Sequence, residues 1–223
     1  MRSIAVAFAL VLTPALSAFA QTRVDFTPTV GIYFPLADLA DQDPAFTYQD
    51  AITVRQDVAP MLGVRVAVWP GTRAGLELSL GYSASGLNDE RSIEAPGHLW
   101  VGSLRLLLGL AQGSSACTSS EGGCLPALYA AGGVGLITRG GDAWNGVSGT
   151  SNLGLSLGAG YRIPAGAVAV RIEGEALLYS SSFTQSGTTT FSQAGIPGNT
   201  GAHFQKDLLL SIELTIPLAG GRR

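Results

Sequence analysis

The chain has 223 residues, of which 46% are hydrophobic and only 13% are charged, and its formal net charge at pH 7 is −3. Soluble domains carry roughly 25% charged residues, so this composition argues against a surface that lies wholly in water. There is no basic excess to indicate a nucleic-acid partner. The 30 glycines follow no strict three-residue repeat, which excludes a collagen-like chain.

Residues 1–20 have the pattern of a secretory signal peptide. Arg2 gives a short positive start, residues 4–12 form an apolar core, and an Ala-Phe-Ala cleavage site ends the segment. The apolar run is too short for a membrane-spanning helix, and later apolar runs are interrupted by Gly, Arg or Glu. We therefore predict export, with residues 21–223 forming one domain.

Eight later segments alternate apolar with small or polar residues, a period of two that is typical of a β-strand with one apolar face. We predict strands at Val24–Phe34, Ala59–Trp69, Gly75–Ser85, His98–Leu110, Ala127–Arg139, Asn152–Ile163, Ala167–Ser180 and Leu208–Leu218. The fifth of these is rich in glycine and alternates least clearly.

The last predicted strand, residues 208–218, shows the pattern most clearly. Its even-numbered residues are all Leu or Ile, whereas Ser211, Glu213 and Thr215 lie among the odd-numbered ones. Strands in globular proteins usually have roughly five or six residues, but eleven residues at about 3.3 Å each reach about 36 Å. At a tilt of about 45°, that length crosses the roughly 25 Å apolar band of a membrane barrel.

The connections alternate in length, as in an up-and-down barrel. Two of them, residues 70–73 and 164–166, have the Pro and Gly content of tight turns. Longer polar connections follow the first, third, fifth and seventh strands, at residues 35–58, 86–97, 140–151 and 181–204. Short turns at one end and long loops at the other are typical of outer-membrane barrels, in which the long loops face outside.

The connection between the fourth and fifth predicted strands contains both cysteines of the chain, Cys117 and Cys124. In an exported chain with two cysteines, a disulfide between them is the expected state, and free thiols are the alternative. The closed loop is short, so we expect a stabilisation near the low end of roughly 2–4 kcal/mol. We predict no metal site, because a metal needs more ligands and the two histidines are distant in sequence.

Charged residues within the predicted strands lie on the face opposite the aliphatic one. We expect seven of them to point into the barrel: Arg65, Glu77, Arg105, Arg171, Glu173, Glu175 and Glu213. A basic residue facing lipid at mid-depth would cost roughly 2–4 kcal/mol. Inside the barrel these groups must pair, because a lone buried charge is far too costly. We therefore predict a salt-bridged interior, either a satisfied polar core or a gated ion path whose pairs change partners.

Aromatic residues lie near the predicted strand ends, as the interfacial girdles of membrane barrels require. They are Phe26, Phe34, Trp69, Tyr82, Trp100, Tyr161 and Tyr179. The same placement also occurs in soluble barrels, so it does not by itself separate the two kinds of barrel.

The signal peptide, the eight alternating strands and the rhythm of turns and loops resemble the small bacterial outer-membrane β-barrel proteins of the OmpA/OmpX type. The resemblance is architectural and covers essentially the whole chain after residue 20. It implies an all-β fold, an eight-stranded antiparallel up-and-down transmembrane β-barrel, in the bacterial outer membrane. It also implies contact with outer-membrane lipids, and with the barrel-assembly machinery during biogenesis. That family's last strand commonly ends in an aromatic residue, whereas this one ends in Leu218.

We expect a non-enzymatic protein without a cofactor, with a structural, surface-contact or weak porin-like role. Recognition would be carried by the four long loops, because loops carry binding when a rigid scaffold holds them. The sequence does not identify a partner for these loops.

Two other functions remain open. An outer-leaflet lipid-modifying enzyme could use His98 or His203 with serines near them, since a Ser–His pair is the minimum for nucleophilic chemistry. A soluble periplasmic barrel, similar to a lipocalin, would turn the aliphatic face inward around a ligand cavity.

Burial separates the membrane barrel from the soluble one. The membrane hypothesis predicts that Leu106, Leu155 and Ile212 are exposed, and that Arg105 and Glu173 are buried. The soluble hypothesis predicts the reverse.

Overall fold

The computed structural model describes residues 22–41, 53–89, 94–111, 126–189 and 199–219. The predicted signal peptide and the predicted disulfide between Cys117 and Cys124 lie outside the described residues. Both therefore stay predictions.

The described chain is almost entirely strand and turn. In chain order its elements are β1 (Arg23–Pro35), β2 (Ala40–Asp41), β3 (Thr53–Gln56), β4 (Ala59–Trp69), β5 (Ala74–Ser83), β6 (Leu87–Asp89), β7 (Glu94–Ala95), β8 (His98–Ala111), β9 (Leu128–Gly140), a 3-10 helix (Asp142–Trp144), β10 (Val147–Ser148), β11 (Ser151–Ala165), β12 (Val168–Ser181), β13 (Thr184–Gln185) and β14 (His203–Ala219). Within the described residues, no helix has the length and apolar character needed to cross a bilayer.

The eight long strands form a closed antiparallel barrel in the order β1-β14-β12-β11-β9-β8-β5-β4. Each strand pairs with the long strand that follows it along the chain, which is the up-and-down arrangement. Strand β14 closes the barrel between β1 and β12, with Ile212 opposite Val30 on one side and Ile172 on the other. The predicted fold class is confirmed.

The aliphatic face of each long strand points outward. Leu106, Leu155 and Ile212 are 48%, 47% and 58% exposed, whereas Arg105 and Glu173 are 0% and 2% exposed. This burial pattern contradicts the lipocalin-like alternative, because a soluble ligand-binding barrel would place its Leu and Val side chains around an inner cavity. The outer wall has the apolar surface that a lipid-facing barrel requires.

The interior is filled by side chains in successive layers. An apolar layer at the end with the short turns contains Ala67, Trp69, Leu107, Tyr129 and Ala131. The charged residues lie above it. A second apolar layer follows towards the long loops, formed by Tyr33, Met61, Leu99, Val101, Ile137, Leu177, Tyr179 and Leu209. Eight-stranded barrels enclose only enough space for such packing.

The long connections also contain ordered structure that the alternation pattern did not predict. Strands β2, β3, β6 and β7 form a four-stranded sheet, and β10 pairs with β13. A small hydrophobic core joins these loop segments, formed by Leu39, Val54, Leu87, Ala143, Trp144 and Phe183. We call this assembly the loop cap.

The prediction of an aromatic girdle is wrong for two of its members. Trp69 and Tyr179 are buried inside the barrel, at 1% and 3% exposure. Both alternate with outward-facing neighbours, so strand geometry directs their rings into the lumen, where each contacts an arginine. Tyr82, Trp100 and Tyr161 are exposed on the outer wall, as predicted.

Candidate functional site

The seven predicted interior charges lie together in one layer across the lumen. Strand β4 supplies Arg65, β5 supplies Glu77 and β8 supplies Arg105. Strand β12 supplies three residues at alternate positions, Arg171, Glu173 and Glu175, and β14 supplies Glu213. None is more than 3% exposed. We call this set the charged layer.

Arg65 contacts all four glutamates of the charged layer. Its Nη1 lies 2.8 Å from Glu173 Oε1 and 3.3 Å from Glu77 Oε1. Its Nη2 lies 3.1 Å from Glu175 Oε2, and its Nε lies 3.0 Å from Glu213 Oε1. One guanidinium therefore links three strands on opposite sides of the barrel.

The other two arginines complete the layer. Arg105 pairs with Glu77, with Glu173 at 2.7 Å and with Glu175 at 3.1 Å. Arg171 pairs with Glu77, with Glu173 and with Glu213 at 3.0 Å. Glu77 and Glu173 each contact all three arginines, so these two carboxylates form the centre of the network.

The charged layer contains three arginines and four glutamates, which gives a formal charge of −1. Hydroxyl groups donate to the glutamates as well: Ser156 to Glu175 and Ser211 to Glu213, each at 2.7 Å. Hydrogen bonds to a carboxylate stabilise its charged form. These donors help the lumen hold more glutamates than arginines.

Sequence reasoning missed Tyr129, which belongs to the same network. Its phenol donates to Glu173 and accepts from Arg171 Nε. The guanidinium carbon of Arg171 lies 4.7 Å from the centre of the Tyr129 ring. The Gly-rich fifth segment gave little alternation to show which way this ring points.

Small residues facing inward make room for the large charged ones. A Cβ atom placed on Gly158 would lie 2.8 Å from Arg105 Nη1 and 3.5 Å from Glu173 Oε1. The Arg105 guanidinium would therefore have to shift to admit a side chain at this position. Glycine at position 158 thus leaves space for the guanidinium of Arg105.

The charged layer leaves little open volume between its side chains. A cavity of about 10 Å³ lies beside Arg65, Glu175, Thr29 and Leu209, which is room for about one water molecule. The carboxylates are engaged by guanidinium groups, which leaves them unsuited to binding a cation. Among the described residues, no group of three or more His, Cys, Asp or Glu side chains is arranged to hold a metal.

A second polar group lies beneath the loop cap. Arg139 donates to Gln56 Oε1 and to Asn152 Oδ1, each at 3.0 Å, and also to the hydroxyl of Tyr179. The Tyr179 hydroxyl in turn donates to Asp207 Oδ2 at 2.6 Å. The aromatic rings of Trp144 and Phe183 lie 5.5 Å and 5.8 Å from the Arg139 guanidinium. Arg139 thus ties the barrel to the cap.

Ser181 and His203 are paired neighbours on β12 and β14, but the hydrogen bond that the enzyme hypothesis requires does not join them. His203 Nε2 contacts the carbonyl of Thr200 at 2.7 Å. Ser83 donates to the carbonyl of Pro60 at 2.9 Å, and Ser85 donates to that of Asp57 at 2.5 Å. The ring of His98 packs against Tyr82, with centroids 5.8 Å apart. Within the described part of the chain, neither histidine forms a hydrogen bond with a serine.

The fold defines the chain as an eight-stranded antiparallel barrel that matches outer-membrane barrel structures. The crystal structure of the outer membrane protein OprG from Pseudomonas aeruginosa matches with a TM-score of 0.53 and 14% identity, covering 89% of this chain and 95% of that one. The solid-state NMR structure of outer membrane protein AlkL in DMPC lipid bilayers matches with a TM-score of 0.57 and 15% identity, covering 92% of this chain and 93% of that one.

No protein-family model and no curated protein matches the chain. At 14% and 15% identity the structural likeness is one of fold. Membership of the OmpA/OmpX type stays a prediction.

Proposed function

We propose that this chain is a non-enzymatic bacterial outer-membrane barrel with a closed lumen, whose function is surface contact through its loop cap. The observation that carries the proposal is the charged layer, in which three arginines and four glutamates are buried and paired across the whole lumen. Apolar layers on both sides seal it further.

Two observations support a location in the membrane. The outer wall exposes aliphatic side chains from every long strand, including Leu78, Val134 and Leu210 at 46–61% exposure. The two similar solved structures are both titled as outer membrane proteins. We propose that outer-membrane lipids cover this wall.

A porin-like role is the less favoured alternative, because an ion would have to cross both apolar layers and separate the pairs of the charged layer. Separating a buried pair is strongly unfavourable, by about 3–5 kcal/mol when one partner is lost. The loop cap, in contrast, has its own sheet and hydrophobic core. A rigid scaffold that holds ordered loops is the usual basis of surface recognition.

The test combines fractionation with conductance. The protein should be extracted from the outer-membrane fraction only with detergent, and its gel migration should change on heating. Planar bilayers that contain the folded protein should show no stepwise current. Recovery in the soluble periplasmic fraction would refute the membrane location, and regular conductance steps from the folded protein would refute the closed lumen.

A further inference from the structure

Arg162, near the turn end of the lumen, has a buried guanidinium whose hydrogen-bonding capacity is unused. Strand β11 directs it inward, and it is 5% exposed. Its Nε, Nη1 and Nη2 groups all lack a hydrogen-bond acceptor among the described residues. Buried polar groups in folded proteins nearly always have a partner, which can be protein, water or an ion. Three unused donors on one buried cation therefore point to a ligand.

The neighbours of Arg162 have the same unused capacity. The ring of Trp69 lies 5.2 Å from the Arg162 guanidinium carbon, and its buried Nε1 group also lacks an acceptor within the described chain. Asp25 Oδ2 is 3.8 Å from Arg162 Nη2, beyond hydrogen-bond distance. The other oxygen of Asp25 is engaged by Arg23 Nε at 2.6 Å. We call these four residues the turn-end cluster.

The charge of the turn-end cluster favours an anion. Two guanidinium groups face one carboxylate, so its formal charge is +1. Asp25 is held by Arg23, which leaves the Arg162 charge only loosely balanced. The arginines of the charged layer, in contrast, are each paired with several glutamates and are not available to another anion.

We propose that the turn-end cluster binds a small oxyanion, the phosphate or carboxylate group of a free solute. Arg162 supplies up to three donors in the planar fork that suits oxyanions, and Trp69 supplies a fourth. The side chain of Arg23 is 33% exposed and marks the side of the cluster that is open to water. Because the cluster lies inside the lumen, a dissolved anion reaches it and a bilayer headgroup does not.

Nuclear magnetic resonance of the folded protein in a phosphate-free maltoside detergent tests this proposal. Inorganic phosphate and acetate are titrated separately at constant ionic strength, with chloride as the balancing salt. The Arg162 Nε–H and Trp69 Nε1–H signals should shift and saturate with phosphate or acetate. The Nε–H signals of Arg65 and Arg171 should stay unchanged.

Two variants sharpen the result. Arg162→Gln should abolish the saturable shift of the Trp69 signal. Trp69→Phe keeps an aromatic ring but removes one donor, so the anion should bind about tenfold more weakly, as judged from the Arg162 signal. If Arg162→Gln does not fold, the wild type and Trp69→Phe decide the matter. Signals that do not move, or that move equally in chloride alone, would overturn the proposal, because ordered water then satisfies these donors.

Discussion

Tyr129 lies directly across Gly160, its paired neighbour on β11, and fills the space that a side chain there would occupy. A Cβ atom placed on Gly160 would overlap the hydroxyl oxygen of Tyr129. From this position the phenol reaches Glu173 and Arg171 in the charged layer. Because Gly160 has no side chain, Tyr129 can reach the charged layer.

Gly160→Val should disrupt this arrangement. The added atoms displace the Tyr129 ring, which then loses its hydrogen bonds to the charged layer, and overpacking adds strain. We expect the free energy of unfolding to fall by about 2–4 kcal/mol. Urea titration of the protein in lipid vesicles measures this change. The control is Gly132→Val, because a Cβ at Gly132 has only Leu157 within 4 Å, at 3.7 Å. Equal losses for the two variants would contradict the role assigned to Gly160.

The charge count of the charged layer predicts an asymmetry between its members. Glu175→Gln brings the formal charge from −1 to zero, whereas Arg65→Gln brings it to −2 and removes the arginine that contacts all four glutamates. We expect Arg65→Gln to destabilise the barrel by about 3–5 kcal/mol and Glu175→Gln by clearly less.

The same urea titration compares the two variants, with Arg55→Gln as a control outside the barrel. Arg55 forms an exposed ion pair with Asp38 at 2.7 Å, so its loss should cost no more than about 1 kcal/mol. If Glu175→Gln lowered the free energy of unfolding more than Arg65→Gln, the formal charge of −1 would not determine the stability of the charged layer.

Pro28 interrupts the seam where the barrel closes. The ladder between β1 and β14 lacks the pairs at Thr27 and Pro28, while the ladder between β1 and β4 is continuous. Proline has no backbone N–H, so a hydrogen bond is missing on the β14 side of Pro28, opposite Leu214. Pro28→Val restores this donor in a place where lipid offers no substitute.

We expect Pro28→Val to raise the free energy of unfolding by about 1 kcal/mol or more. A hydrogen bond restored in lipid outweighs the ~0.4–1 kcal/mol that proline contributes by restricting the unfolded chain. Pro164→Val is the control, because the ladder of Pro164 with β12 is already complete. Amide hydrogen exchange at Thr29 and Glu213 should slow in Pro28→Val and not in Pro164→Val. Unchanged exchange in Pro28→Val would show that the pairing of β1 with β14 does not open at Pro28.

Arginine substitutions along β8 should report depth in the membrane. Leu104 and Leu110 both point outward, at 45% and 62% exposure, but Leu104 lies mid-strand and Leu110 lies near the turn end. We expect Leu104→Arg to cost about 2–4 kcal/mol and Leu110→Arg about 0–1 kcal/mol in lipid vesicles. Small and equal effects would mean that water surrounds this wall.

The sequence predicted the barrel well because alternation directly records which face of a strand is apolar. Every end of the eight long strands was predicted within two residues, except for the start of β14. Strand β14 begins at His203 and not Leu208, because backbone pairing with β12 continues through polar residues that do not alternate.

The interior apolar layers could not be predicted in the same way. Leu107 and Leu209 each lie within a run of three leucines, where the pattern does not show which residue turns inward. The contacts of Arg162 and Arg139 depend on which strand ends meet across the lumen, and alternation within single strands carries no such information.

A membrane location requires above all that the outward face of β14 lies in lipid. A nitroxide label placed in turn at each position from 208 to 218, in a chain with Cys117→Ser and Cys124→Ser, tests it in vesicles. Labels at even positions such as 210 and 212 should collide readily with oxygen and rarely with a water-soluble nickel chelate. Labels at odd positions should collide rarely with either reagent. Frequent collision of the labels at even positions with the nickel chelate would show that the outward face of β14 lies in water.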